Sequence, residues 1–293
     1  MGGKRVAFLS DVHGNSPALE AVLSDILLYE VDELISLGDI INGVDPQGCV
    51  ALLRNWAANN NVSLTCIRGN AEAYLLTPDR DELLVYDDEW NIPVLNLVQW
   101  YEDRLTEEDM QWIGSFPDTL LWRDALLVHD SPLDRLAVHT EVDPHIHPKH
   151  HEWFYHGPGI AHDMAQQGWD HLYQYMEIEG ISRIFCGHTH QAFIHERAER
   201  AICNVGSVGL PLDGDCRPVW VMLDTSLEGS SNLLIRRVEY DLSRIYQLFD
   251  ETSDYPSFQE RPGMMEAFKK WVATGIHWRF HMPGMLPENA ENS

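Results

Sequence analysis

A chain of 293 residues with 44% hydrophobic and 23% charged residues has the composition of a globular protein, which excludes wholesale disorder and allows one large domain or two smaller ones. Its formal net charge of -26 repels polyanions, so duplex DNA, long RNA and anionic membranes are poor partners, while solubility is favoured. Five cysteines, none in CxxC spacing and most in apolar runs, argue against a disulfide framework and predict a reducing, cytoplasmic setting. The apolar run ending at Leu9 meets Ser10-Asp11 at once, too short for a signal peptide, and no stretch reaches the length of a membrane span.

In chain order, the first 70 residues alternate short apolar strands with helices. Val6–Leu9, Leu34–Leu37 and Val62–Ile67 read as strands. Ser16 is the expected cap of the first helix, with Pro17 at its first position and Leu19, Val22, Leu23, Ile26 and Leu27 on one face. Pro46 opens a second helix through Val50, Leu53 and Trp56. This alternation predicts a parallel sheet covered by helices. Residues 72–115 are acidic and read as mostly helical. Strands follow at Leu126–Val128 and Ile184–Cys186, separated by a helix over 163–178. From Phe193 to Tyr240 short strands alternate with turns such as Asp213-Gly214-Asp215, which predicts a second sheet built largely of antiparallel strands. The expected organisation is a main domain over 1–240, with a His-rich cap or loop insertion at 132–162, and a C-terminal helical extension over 241–293 with a frayed end.

The polar residues fall where the strands stop. Asp11 and His13 follow the first strand, Gly38-Asp39 the second and Gly69-Asn70 the third. His129 follows the Leu126 strand, and Gly187-His188-Thr189-His190 the Ile184 strand. Open α/β sheets build their sites beyond the carboxyl ends of strands. Imidazole nitrogens with carboxylate and amide oxygens suit Mn, Fe, Ni and Zn. Asp-x-His and His-x-His alternate along extended chain, so each pair is expected to point one way, with the adjacent glycines turning the backbone. Singly, each piece also reads as a polar strand end, a turn or a satisfied core histidine; the ordered set of five carries the metal reading.

This set, D-x-H, GD, GN, H and GHxH, resembles the calcineurin-like metallophosphoesterase superfamily. Asp11-Val12-His13-Gly14-Asn15, Val128-His129 and Asn204-Val205-Gly206-Ser207-Val208-Gly209 resemble its bacterial and archaeal branch of small phosphodiesterases. The resemblance implies a fold of two packed mixed β-sheets flanked by helices. It also implies two divalent ions, Mn first, with Fe, Ni or Zn as alternatives. One would be held by Asp11, His13, Asp39 and His190, the other by Asp39, Asn70, His129 and His188, with Asp39 bridging. Asp39, Asn70 and His129 would then act directly in catalysis. An ion-activated hydroxide would hydrolyse small phosphoesters or nucleotides, diesters above all.

Ala71 stands where the family carries His, a residue thought to protonate the leaving group or hold the phosphate. Its absence should hurt poor leaving groups most. Asn15 is a candidate phosphate contact by analogy and equally a candidate helix cap. Arg68 is a candidate phosphate partner or a strand-end ion pair. The Gly206–Gly209 loop reads as a structural turn. His145, His147, His150, His151, His156 and His162 read as a solvated loop or a cap over the metals; His139 is unplaced. Alternative functions are a phosphoprotein phosphatase or dinucleoside polyphosphate hydrolase, or a catalytically silent metal-binding interaction module. The Gly38–Gly43 segment lacks the Arg of the phosphoprotein phosphatases. Oligomeric state is left open.

Overall fold

The computed structural model describes residues 4–78, 80, 94–132, 160, 162, 164, 166–226, 232–260 and 263–276. Apart from Ile160 and His162, the His-rich stretch lies outside the described residues, as do His139 and the 277–293 tail.

Two five-stranded sheets pack face to face. The first contains β1 (Arg5–Leu9), β2 (Glu33–Ser36) and β3 (Ser63–Cys66), joined in parallel. Helices α1 (Ser16–Leu27) and α2 (Pro46–Asn60) make the crossovers. The sheet is completed on the free side of β1 by antiparallel β9 (Val219–Asp224) and β10 (Leu233–Arg237). The second sheet runs in the order β4 (Thr119–Trp122), β5 (Ala125–Val128), β6 (Arg183–Cys186), β8 (Arg200–Val205), β7 (Ala192–Arg197). Its centre, β5–β6–β8, is parallel and its edges are antiparallel.

The 193–240 segment therefore does not form a sheet of its own. It is divided: β7 and β8 extend the second sheet, while β9 and β10 return to the first. Alternation marks strands but not the edge they join. Here the open edge of β1 takes Val219–Leu223, a run buried at four of its five positions.

The side-chain alternation of β1 builds two cores. Val6 and Phe8 point between the sheets, where Phe8 stacks on Phe185 at 4.0 Å. Ala7 and Leu9 point outward to α1 and α2. On the far side, Ile184, Cys186 and Ile202 pack on α6 (Gln166–Ile178) through Trp169, Leu172 and Met176. The result is four layers, helix–sheet–sheet–helix. Residues 70–114 supply α3 (Asn70–Leu76), α4 (Val94–Glu102) and α5 (Glu107–Gly114), with Asp79 and 81–93 outside the described residues. After residue 241 come α7 (Leu242–Glu251), α8 (Pro256–Glu260) and α9 (Met264–Thr274). Ile245, Phe249, Tyr255, Trp271 and Val272 enter the same core as α1 and α2.

Asn15, not Ser16, caps α1: its side-chain oxygen accepts the Ala18 N–H at 3.1 Å. Ser16 is the first helical residue, and its hydroxyl instead donates to Asp45, the cap of α2.

Candidate metal centre

The parallel strands β1, β2, β3, β5 and β6 all end at one edge of the sandwich, and the expected residues leave from those ends. Asp11, Asp39, His129, His188 and His190 are buried, and His13 is 9% exposed. Asp11 Oδ1 lies 3.3 Å from His190 Nε2, 3.6 Å from His13 Nε2 and 3.9 Å from His129 Nε2. Asp39 Oδ2 lies 3.4 Å from His129 Nε2 and 3.8 Å from His13 Nε2. Two groups suited to an ion result, Asp11–His13–His190 and Asp11–Asp39–His129. Asn70 and His188 adjoin them: Asn70 Nδ2 is 3.1 Å from His188 Nδ1, and the His188 ring meets that of His129 at 5.3 Å.

Asp11 is common to both groups, and Asp39 Oδ2 also faces a histidine of each, His13 and His129. Each carboxylate has one oxygen already committed. Asp11 Oδ2 accepts the His188 N–H at 2.9 Å, and Asp39 Oδ1 accepts the Ala71 N–H at 2.8 Å. A single oxygen of each thus faces the cluster.

The pairs do not converge through extended chain. Asp11, His13, Asp39, His188 and His190 have φ of 53°, 49°, 52°, 67° and 58°, five of the nine non-glycine residues with positive φ among those described. Such conformations are costly and cluster at functional sites. They are held by loop-to-loop bonds: Asp11 N–H to Gly38 O, His13 N–H to Asp39 O, and Gly209 N–H to Asp11 O. The Ser207 hydroxyl also donates to Asp11 O at 2.8 Å, so the 206–209 turn braces the β1 loop, in its expected structural role. At Gly187 the need is close approach: a Cβ there would fall 2.1 Å from Ser10 Oγ and 2.4 Å from Asp11 Oδ2.

Three imidazoles have their tautomer set by the backbone. A carbonyl only accepts, so Nδ1 carries the proton in His13 (to Asn42 O, 3.1 Å), His129 (to Leu37 O, 2.7 Å) and His190 (to Leu210 O, 2.6 Å). Each Nε2 then turns toward the carboxylates, the arrangement that suits metal-binding histidines. Asp11 Oδ1 and His129 Nε2 are buried without a hydrogen-bond partner, a rare state for native polar atoms. Two such atoms, aimed at one another's surroundings within a mixed N/O donor set, fit a divalent ion.

The protein groups alone are strongly polarised. Burial works against charge on His129, but Asp39 and Asp11 outweigh it and hold this imidazole up at about 10. Burial also opposes charge on Asp39, yet His129 draws it down to about 2. His188 is pushed down to about 4 by burial and by the neighbouring His129.

The other expectations resolve differently. Asn15 is the helix cap, and its amide also donates to Gly209 O and to the Tyr240 hydroxyl, at 3.1 and 3.2 Å. Arg68 takes the ion-pair role, reaching Asp118 at 3.1 Å and Phe116 O at 3.0 Å. Glu72 was not expected as a site residue. It is wholly buried, and its carboxylate accepts the N–H groups of Asp39, Ile40, Ile41 and Gly69 at 2.8–3.2 Å. Burial, then the Asp39 charge, raises its pKa, and those N–H groups oppose the rise. Its spacing from Gly69, the capping-box interval, was the available signal.

Fold and cluster together define an α/β sandwich protein with a candidate metal centre at its strand ends. Residues 5–227 match the calcineurin-like phosphoesterase superfamily domain, and the chain belongs to that family, whose members use divalent metal ions. It is 26% identical over 261 residues to the uncharacterized protein MJ0912 of Methanocaldococcus jannaschii, covering 83% of this chain and 90% of that one. A metallophosphoesterase from Sphaerobacter thermophilus matches in structure with a TM-score of 0.63 at 24% identity, over 94% of this chain and all of that one. The hypothetical protein PH1004 of Pyrococcus horikoshii matches with a TM-score of 0.68 at 16% identity, over 93% and 99%. These two likenesses bear on the fold.

Proposed function

We propose that this chain hydrolyses small phosphate esters, nucleotide diesters included, with two divalent ions, Mn²⁺ the first choice over Fe, Ni or Zn. The observation that carries this is the convergence of Asp11, Asp39 and the Nε2 atoms of His13, His129 and His190 in one buried cluster of carboxylates and imidazoles. Asp11, His13, Asp39 and His190 would hold one ion, and Asp39, Asn70, His129 and His188 the other, with Asp11 Oδ1 in reach of both groups. When bound, such ions acidify water and neutralise charge growing on phosphoryl oxygens. The chain's own contribution is placement: left-handed backbone aims the ligands, and Nδ1–carbonyl bonds fix each ring. We keep 1–240 as the domain that carries this chemistry and 241–293 as an extension. No described helix is long and apolar enough to cross a membrane. The five free cysteines support a cytoplasmic setting.

Ala71 offers no side-chain proton donor; its N–H is spent on Asp39. Substrates whose leaving group needs no proton should therefore dominate. With Mn²⁺ restored to stripped protein, bis-p-nitrophenyl phosphate and p-nitrophenyl phosphate are expected to be cleaved about 10²–10⁴-fold faster than alkyl phosphates. Equal rates on alkyl esters would show that another acid operates. Bound metal with no cleavage of any ester would return the interaction module.

Metal uptake should depend on pH. His129 is protonated at neutral pH with protein groups alone, and its Nε2 must lose that proton to bind an ion. Affinity is therefore expected to rise by up to about tenfold per pH unit from 6 to 8. Calorimetry in buffers of different ionisation heat should register the released proton. A flat affinity over that range would contradict the protonation assigned to His129.

A further inference from the structure

We infer that the helices after residue 241 clamp one half of the metal centre, the Asp11–His13–His190 group, and set that group's affinity for its ion. This rests on the metal reading above.

Both histidines of that group are oriented by a carbonyl, and both carbonyl segments are gripped from the C-terminal helices. His13 is fixed by Asn42 O. The Asn42 side chain is in turn held by the Tyr101 hydroxyl, which donates to Asn42 Oδ1 at 2.9 Å. Tyr255, immediately before α8, closes this cluster: its hydroxyl lies 3.1 Å from that of Tyr101 and donates to Asn42 Oδ1 at 3.5 Å. His190 is fixed by Leu210 O. The next carbonyl, Pro211 O, accepts the Trp271 indole N–H at 3.1 Å. The same indole lies nearly parallel to the His190 ring, with centroids 6.3 Å apart and planes 23° apart.

The other half of the centre is held from within the sandwich. His129 is oriented by Leu37 O at the end of β2, and Asp39 by Ala71 N–H and the Glu72 carboxylate. Tyr255 and Trp271 both lie beyond the 5–227 family match. Between His13 and the apolar side chains of α7 and α9 there is a cavity of only about 20 Å³. That is room for about one water.

Partners one step behind a ligand typically change metal affinity 10–100-fold when removed. The test uses the full chain, stripped of metal and titrated with Co²⁺, read by calorimetry and by the cobalt absorption bands. Two equivalents are expected for the parent. Tyr255→Phe and Trp271→Phe, one step further back than such partners, should each weaken one equivalent by up to about tenfold, alter one set of bands, and leave the other equivalent within about twofold. Phe249→Leu removes packing from the same helical layer but no hydrogen bond, and should leave both equivalents unchanged. Equal weakening of both equivalents, unchanged affinities in both clamp variants, or the same effect from Phe249→Leu would each overturn the clamp. Variants unchanged beside a two-metal parent would overturn the clamp alone. A parent that takes up no cobalt would overturn the metal reading with it.

Discussion

Asp11→Asn is expected to abolish metal-dependent hydrolysis and metal-induced stabilisation together. Asp11 Oδ1 belongs to both candidate ion groups, and its other oxygen accepts the His188 N–H. An asparagine can keep the second contact by turning its oxygen to His188. It then presents an amide N–H₂ to three Nε2 atoms and supplies no negative charge to either ion. Loss of one charge-stabilising group commonly lowers kcat 10²–10³-fold, and loss from both ions should exceed about 10³-fold. In the parent, a metal at a hundredfold over its Kd should raise stability by about 2.7 kcal/mol, and in the variant by nothing measurable. Thermal melts with and without Mn²⁺ read this without reference to any substrate. A variant with a parent-like melting shift would show that Asp11 is not a shared ligand.

Glu72→Ala should be the most damaging single change to the scaffold of the site. Four backbone N–H groups lose their acceptor at once, in a place closed to solvent. Each buried unsatisfied donor costs about 1–3 kcal/mol, so the total should reach at least about 3 kcal/mol even if water enters the space left behind. Three of those donors, in Asp39, Ile40 and Ile41, shape the turn that gives Asp39 its positive φ. Metal affinity should therefore fall with stability. Glu72→Gln retains one acceptor oxygen and should fall between the two. Urea unfolding of the three proteins, each without metal, measures this. A Glu72→Ala protein within about 0.5 kcal/mol of the parent would contradict the role assigned to this carboxylate.

The strand ends were legible because burial on both faces forces near-continuous apolar runs, and those runs stop abruptly at Asp11, Asp39, Asn70, His129 and His188. Which residues gather at the edge followed from that pattern. How they gather did not. Asp and His are enriched among residues with left-handed backbone, but most still adopt negative φ, so the extended reading of Asp-x-His and His-x-His was the natural one and the wrong one. The destination of β9 was likewise invisible, since strand pairing is decided by the open edge of β1. Asn15 and Ser16 are both good caps, and one residue of register decided between them. Trp271 reads as an ordinary core tryptophan in sequence; its indole N–H acquires meaning only when Pro211 O is placed against it.

The most direct test of the metal centre is anomalous diffraction from crystals soaked in Mn²⁺. Two peaks are expected beside Asp11 Oδ1, separated by about 3.5–4 Å, one among His13 and His190 and the other among Asp39 and His129. No peak at the cluster, or manganese bound only at the acidic surface, would contradict the assignment of these strand-end residues to metal chemistry.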